Sequence, residues 1–498
     1  MRAWTLSLPL DRDCPSPLAV QIARGLVERI RTGALRAGAP VPSSRALART
    51  LGVHRNTVLA AYAELQAEGW LTTIAARGTT VARDLPALPA RDRQARPPRR
   101  SEEPGFDVPP APDPSWVAPG PRDYQLLGGV PDPRLFTAPL LARAYRRALR
   151  RREHLGYGDR AGHPRLRAAL AAMLGEARGL PVAADGVLVT RGAQMALALA
   201  ARALLAPGDT IAVEALGYRP AWEAFRLAGL RLVPIALDAR GLDVEALAER
   251  VRSERGRIRA VYLTPHHQYP TTVTLAPSRR LALLELARRE RLLVLEDDYD
   301  NEFHFEGRPV LPLASADAAG VVVYVGTLSK VLAPGIRIGF VAGPRAAVEA
   351  VAAHRHFLDR QGDLALEAAV AELFEEGEAQ RLVWRARRAY AERREAMAAA
   401  LRAELSGALA FELPPGGIAL WCRALGGIDA TAWAARARAE GVVVQHGALF
   451  TLDGAPLPWL RLGFGRHEPR ELQEAVRRLA RALRPATPPR PPRPARAR

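Results

Sequence analysis

Between residues 124 and 483 the chain alternates short β-branched runs with Ala- and Leu-rich amphipathic stretches. The runs fall at residues 187–190, 211–214, 260–264, 292–296, 321–325 and 339–342. Strands separated by helical periods need crossover connections. This order therefore predicts an α/β unit with a largely parallel sheet. In such sheets ligands gather at the carboxyl ends of the strands. The residues just after each run are the ones to read for chemistry.

Three strand ends carry a coherent set. After 187–190 come Arg191-Gly192-Ala193-Gln194 and then a helical stretch. Small residues at a helix N-terminus let backbone N–H groups approach a phosphate. After the fourth run stands Glu296-Asp297-Asp298-Tyr299-Asp300, where a carboxylate can hold a pyridine nitrogen protonated. After the fifth come Gly326, Thr327, Ser329 and Lys330, with Arg337 seven residues on. Short hydroxyl residues, an amine and a guanidinium suit a group that bears both a phosphate and an aldehyde. Pyridoxal phosphate is such a group, with Lys330 as the Schiff-base lysine. Taken singly, each feature reads as a solvated loop or a surface lysine; the three in one strand order point to the cofactor.

The first 83 residues read differently. Leu18, Ile22, Leu26, Val27 and Ile30 have helical spacing. Gly33 and Gly38 break the chain. A Pro-Ser-Ser stretch at 42–44 offers a cap to a short helix over 45–51, and a second helix follows over 54–68. Two short helices joined at Gly52 match a helix-turn-helix. Residues 69–73 and 79–81, around Arg77-Gly78, read as a hairpin wing. Such a module sets the N-terminal part of its second helix against base edges. Arg45, Arg55, Asn56 and Thr57 stand at the reading positions, with Arg77 on the wing. A three-helix interaction domain with a charged surface has the same periodicity.

The net charge of +19, from 71 basic and 52 acidic residues, favours anionic partners, although part of it sits in Pro- and Arg-rich segments. Those segments, 84–122 and 485–498, read as a linker and a disordered basic tail, because proline at that density forbids helix and sheet. The expected division is a DNA-binding unit 1–83, linker 84–122, ligand-binding unit 123–484 and tail 485–498. Cys14 and Cys422 have no metal or redox spacing, so no metal site and a reduced compartment are expected. No apolar run reaches about 18 residues, which favours a cytoplasmic protein with no membrane partner.

Residues 16–71 resemble the winged-helix domain of GntR regulators, in the blocks IRTGAL, PSSRALA, LGVHRNTV and AYAELQAEG. His54 and the wing sequence depart from that family's pattern. The remainder resembles fold-type I aminotransferases through YGDRAGHPRLR, VTRGAQMAL, EALGYRPAWEAF, YLTPHHQYPTT, LVLEDDYDNEF, VYVGTLSKVLAPGIRIGF and WLRLGFG. Together the two parts resemble the MocR subfamily: a mainly α winged helix followed by an α/β aminotransferase-like unit with a smaller C-terminal α+β part.

The resemblance implies roles. Lys330 bonds the cofactor, Asp297 pairs with its pyridine nitrogen, Tyr299 with its ring oxygen, and Tyr218 stacks on the ring. Ala193, Gln194, Thr327, Ser329 and Arg337 hold the phosphate, Tyr157 reaches the phosphate of a neighbouring subunit, and Arg461 takes a ligand carboxylate. The turn glycine expected after Pro270-Thr271 is Thr272, a strained choice unless the turn is rebuilt. The function implied is a pyridoxal-phosphate-dependent transcription regulator. It would sense an amino compound or the cofactor itself, as a head-to-tail dimer on an operator with two half-sites. An active aminotransferase with an accessory DNA module, and a scaffold with an empty site, are the alternatives. Half-transamination without sustained turnover is compatible with the regulator.

Overall fold

A computed structural model describes residues 8–74, 78–86, 104, 106–108, 119–254, 256–307 and 310–483. The chain forms two compact units, Met1–Ala111 and Pro112–Arg498. Arg77, most of the expected linker and all of the expected tail lie outside the described residues.

The first unit packs three helices, α1 (Leu18–Arg31), α2 (Ser44–Leu51) and α3 (Arg55–Ala67), against a hairpin of β1 (Leu71–Ile74) and β2 (Gly78–Val81). Its core is built from Ile22, Leu26, Ile30, Leu47, Val58, Tyr62, Leu65 and Trp70. The helix ends follow local chemistry. Ser43 accepts from the Ala46 N–H at 3.3 Å, and Gly52 closes α2 at φ 64°. His54 precedes α3 and is not part of it; its Nδ1 accepts from the Asn56 N–H at 3.2 Å. The histidine therefore does the capping work of a small polar residue.

The second unit holds two larger sheets and one short hairpin. The first strand in sequence, β3 (Tyr124–Leu126), belongs to the smaller sheet. The larger sheet contains β4 (Val187–Thr190), β5 (Thr210–Glu214) and β6 (Arg231–Ile235). After the hairpin β7 (Leu237–Asp238) and β8 (Gly241–Leu242) it continues with β9 (Ile258–Leu263), β10 (Leu293–Asp298), β11 (Val322–Thr327) and β12 (Gly339–Ala342). The order is β4-β12-β11-β10-β9-β5-β6, parallel except that β12 runs antiparallel to both neighbours. β6 is absent from the expected strands because Pro234 interrupts its apolar run. It is an edge strand, where a missing N–H is tolerated.

The smaller sheet has the order β13-β14-β16-β15-β3, from β13 (Leu409–Phe411), β14 (Ala419–Ala424), β15 (Val442–His446) and β16 (Trp459–Gly463). β3 pairs parallel with β15, so the start of the unit closes a sheet made at its end. Gly463 permits this closure: a Cβ there would lie 2.1 Å from the Leu127 carbonyl oxygen. Among the described residues no helix is long and apolar enough to cross a membrane.

The turn at Thr272 is not rebuilt. Thr272 takes φ 65°, held by its N–H to the Gln268 carbonyl at 2.7 Å and by the Gln268 N–H to the Val273 carbonyl at 2.8 Å. A β-branched residue there costs about 1–2 kcal/mol. Thr272→Gly is expected to raise Tm by roughly 1–2 °C in a domain of this size, after the entropy cost of glycine. A lower Tm by calorimetry would mean that the side chain repays the strain.

Candidate functional site

One cavity of about 810 Å³ opens at the carboxyl ends of the large sheet. Ala193, Gln194, Tyr218, Asp297, Tyr299, Thr327, Ser329, Lys330 and Arg337 all line it. Four different strand ends and the turn before the helix Arg219–Leu227 supply them.

At its floor, Asp297 is the penultimate residue of β10 and is buried. Its Oδ2 accepts from the Tyr262 hydroxyl at 2.9 Å, while Oδ1 has no hydrogen-bond partner. Burial pushes this carboxyl up to about 7, against the opposing effects of Tyr262 and Lys330. A protonated ring nitrogen would satisfy Oδ1 and hold the carboxylate ionised. Lys330 follows β11, and its Nζ donates to the Gly129 carbonyl. Loss of solvent brings the amine down to about 8, with Asp300 and Asp297 resisting the shift and Arg461 and Arg337 adding to it.

The opposite end suits a phosphate. Gly192, at φ 80°, leads into the helix Ala193–Leu204. The Gln194 side chain donates to the Pro220 carbonyl at 2.6 Å, so its amide nitrogen is already engaged. Ser329 Oγ is buried without a partner. Arg337 takes a left-handed φ of 54° and donates to the Arg191 carbonyl at 2.9 Å. The φ of Gly192 favours glycine, and a Cβ there, 2.7 Å from Arg337 Nη2, would push the guanidinium away. The unpartnered Asp297 Oδ1 and Ser329 Oγ, the free helix N-terminus and Arg337 fit pyridoxal phosphate.

Two expected residues lie elsewhere. Arg461 is fully buried on β16, an interior strand of the smaller sheet, and is not in the cavity lining. Nη1 donates to the Pro270 carbonyl at 2.5 Å, Nη2 to the Tyr299 hydroxyl at 3.5 Å, and Nε has no partner. The guanidinium stacks 4.3 Å from the Tyr269 ring. Among the described residues it forms no ion pair, so it is not a strand-edge salt bridge. Tyr157 is 80% exposed, with the Arg360 guanidinium 3.9 Å from its ring.

In the first unit, Arg45, Arg55 and Asn56 are exposed and Thr57 is half-buried. Arg45, Arg49 and Arg55 line a cleft between α2 and α3. Arg55 Nε donates to Ser44 Oγ at 3.3 Å. Arg49 was not among the expected residues, although it follows Arg45 by four and so shares its helix face.

Comparison with known proteins places both units. Residues 18–81 match the family described as bacterial regulatory proteins, gntR family, and residues 129–479 match aminotransferase class I and II. The probable rhizopine catabolism regulatory protein MocR of Rhizobium meliloti is 32% identical, over 95% of each chain. The chain belongs to the MocR-type GntR regulators. The HTH-type transcriptional regulator TauR of Rhodobacter capsulatus is 35% identical over 92% of this chain and 94% of its own. Among solved structures, LysN from Thermus thermophilus, an α-aminoadipate aminotransferase complexed with N-(5'-phosphopyridoxyl)-L-leucine, superposes with a TM-score of 0.67. It is 32% identical over 73% of this chain and 92% of its own. The chain is thus a DNA-binding transcription regulator with an aminotransferase-like unit, and pyridoxal phosphate is the cofactor of that fold family.

Several site residues of the regulator carry no sequence signal. Tyr262, beneath the lining with its hydroxyl on Asp297, stands near the end of β9 and reads as core. Tyr269 was noted only as part of a motif. Gln445 reaches the cavity from β15 of the smaller sheet, and Phe450 from the turn that follows it. The lowered Lys330 amine gives a pH prediction. Only the neutral amine attacks an aldehyde, so capture of added cofactor by the cofactor-free chain should slow about tenfold per pH unit below about 8 and level off above it. Stopped-flow absorbance checks this; a rate still climbing past pH 9 would mean an ordinary lysine.

Proposed function

We propose that this regulator senses an amino compound, or pyridoxal phosphate itself, at Lys330, and that occupancy there alters operator binding by its winged helix. The observation that carries this reading is the convergence of nine cofactor-suited residues on one cavity in a chain that also holds a winged helix of the gntR family. Bound pyridoxal phosphate supplies an aldehyde that exchanges reversibly between primary amines. Lys330 offers the protein's amine, and Asp297 Oδ1 holds the ring-nitrogen proton. Tyr299 orients the ring oxygen, Tyr218 covers the ring face, and Thr327, Ser329, Arg337 and the backbone at Ala193 and Gln194 hold the phosphate.

Arg461 reads a ligand carboxylate from just behind the lining, where its guanidinium abuts the lining residues Tyr269 and Tyr299. Its Nε is unsatisfied, and Nη2 reaches Tyr299 only at 3.5 Å, so it retains donor capacity for a planar anion. Regulation requires the ligand to prefer one global state over another. A dimer supplies two winged helices, hence two half-sites. Exposed Leu155, Tyr157, Phe357 and Leu358 support that dimer. The segments 156–158 and 360–361 are joined by hydrogen bonds and by the Arg360–Tyr157 stack, which brings the two stretches bearing these side chains together. Tyr157 there is suited to reach the phosphate of a partner subunit in a head-to-tail arrangement.

The test titrates a panel of amino acids against the full chain, reading visible absorbance and operator affinity together. The reading requires one compound to move both over the same concentration range. Arg461→Ala is expected to weaken the response to that carboxylate-bearing compound by about 100-fold or more, since a charged contact is lost, while leaving the cofactor colour. An absorbance change that never alters DNA affinity would sink the sensor reading. Sustained turnover with a keto acid would instead favour the aminotransferase, for which the complete lysine and aspartate pair is the supporting observation.

A further inference from the structure

Adjoining the cofactor pocket, three imidazoles come together that the proposed function leaves unused. His266 and His267 lie in the loop after β9, and His304 lies beyond β10. They are 3%, 2% and 7% exposed. One candidate ligand atom from each falls within 4.8 Å of the others. Both ring nitrogens of His266 and both of His304 are buried without a hydrogen-bond partner. A buried polar atom left unpaired carries its full desolvation penalty, and four such nitrogens in one cluster call for an ion or water.

The surrounding chemistry favours a cation. His267 Nδ1 lies 2.8 Å from Asp300 Oδ1, the carboxylate–imidazole pairing that fixes a metal-binding histidine's tautomer. Asp300 Oδ2 and Asp298 Oδ1 are also buried and unpartnered. The facing cations are Arg280 and Arg387, with Arg178 at 3.9 Å from Asp298.

We propose that His266, His267 and His304 form a site for a divalent transition metal of the zinc class, with Asp300 as the outer carboxylate on His267. Imidazole ligands select zinc, cobalt, nickel or copper over magnesium and calcium. Tetrahedral ligation with bonds of about 2.1 Å sets ligand atoms about 3.4 Å apart, so the rings must turn inward. His266 and His304 make no hydrogen bond that such rotation would break. The fourth position is open to water.

The metal clips together segments that build the pocket wall. The His266–His267 loop continues into Tyr269 and Pro270, which hold Arg461. The His304 segment begins at Tyr299. His304 also pairs with Gly416, and the Gly417 N–H donates to the Phe303 carbonyl at 2.7 Å, just before β14 of the smaller sheet.

The experiment loads the full chain with Zn²⁺, measures Tm with the metal present, then dialyses it and measures metal content; Co²⁺ loading adds a visible ligand-field spectrum. About one metal per chain is expected, with a tetrahedral cobalt spectrum and a Tm raised by roughly 3 °C when free metal is about 100 times Kd. His304→Gln and His266→Phe are each expected to lose the metal and the Tm rise, with folding checked by circular dichroism. A folded wild-type chain that retains no metal overturns the proposal. So does metal retained by both variants, which would move the site to a pair such as His154 and His163, whose Nε2 atoms lie 3.2 Å apart.

Discussion

Lys330→Ala is expected to abolish the visible absorbance that the full chain acquires with pyridoxal phosphate, and to weaken retention of the cofactor by about 100-fold or more. The covalent tether is lost, and only the phosphate cradle and Asp297 remain to hold the group. Operator affinity without effector should stay within about twofold, because the winged helix has its own core, which Lys330 does not enter. The substitution removes a half-buried amine whose recorded hydrogen bond is to the Gly129 carbonyl, so gross unfolding is not expected. Colour persisting in the variant would mean that another lysine or a non-covalent complex carries the absorbance. The assay is an absorbance spectrum after gel filtration, beside a mobility-shift titration.

Arg55→Ala is expected to do the opposite. Arg55 is exposed at the start of α3, the helix whose N-terminal residues meet base edges in this class of module. Loss of a bidentate base contact costs about 1–3 kcal/mol, or roughly 5- to 150-fold in operator affinity. The cofactor spectrum should not change. If Arg55 reads a base, the loss falls on the operator and spares random DNA. If it only meets phosphate, both weaken alike and the salt dependence falls by about one unit of slope. Equal losses from Arg55→Ala and Lys330→Ala would mean that the DNA contacts lie elsewhere.

Much of the site was legible in the sequence, because a strand end and its following turn are local objects. A β-branched run followed by Arg191-Gly192-Ala193-Gln194, by Glu296-Asp297 or by Thr327-Leu328-Ser329-Lys330 specifies both a position in the sheet and a chemistry. The winged helix was legible for the same reason, since its caps at Ser43 and His54 and its Gly52 turn act within a few residues. Local reading failed where partners are distant. Pro234 hid an edge strand that only pairing with β5 defines, and the hydrogen bond from Tyr262 to Asp297 appears only when β9 lies beside β10.

The sequence by itself determined the two units, the strand ends that carry Asp297 and Lys330, and the family of cofactor, because period and turn chemistry are encoded residue by residue. Tertiary structure alone decided what surrounds those groups. It left Asp297 Oδ1 without a partner and buried Arg461 on an interior strand. Pairing β3 with β15 brought the Gly129 carbonyl to Lys330, and packing gathered His266, His267 and His304. These are long-range contacts. They depend on how sheets close and loops pack, and no periodicity in the chain records which distant atoms will meet.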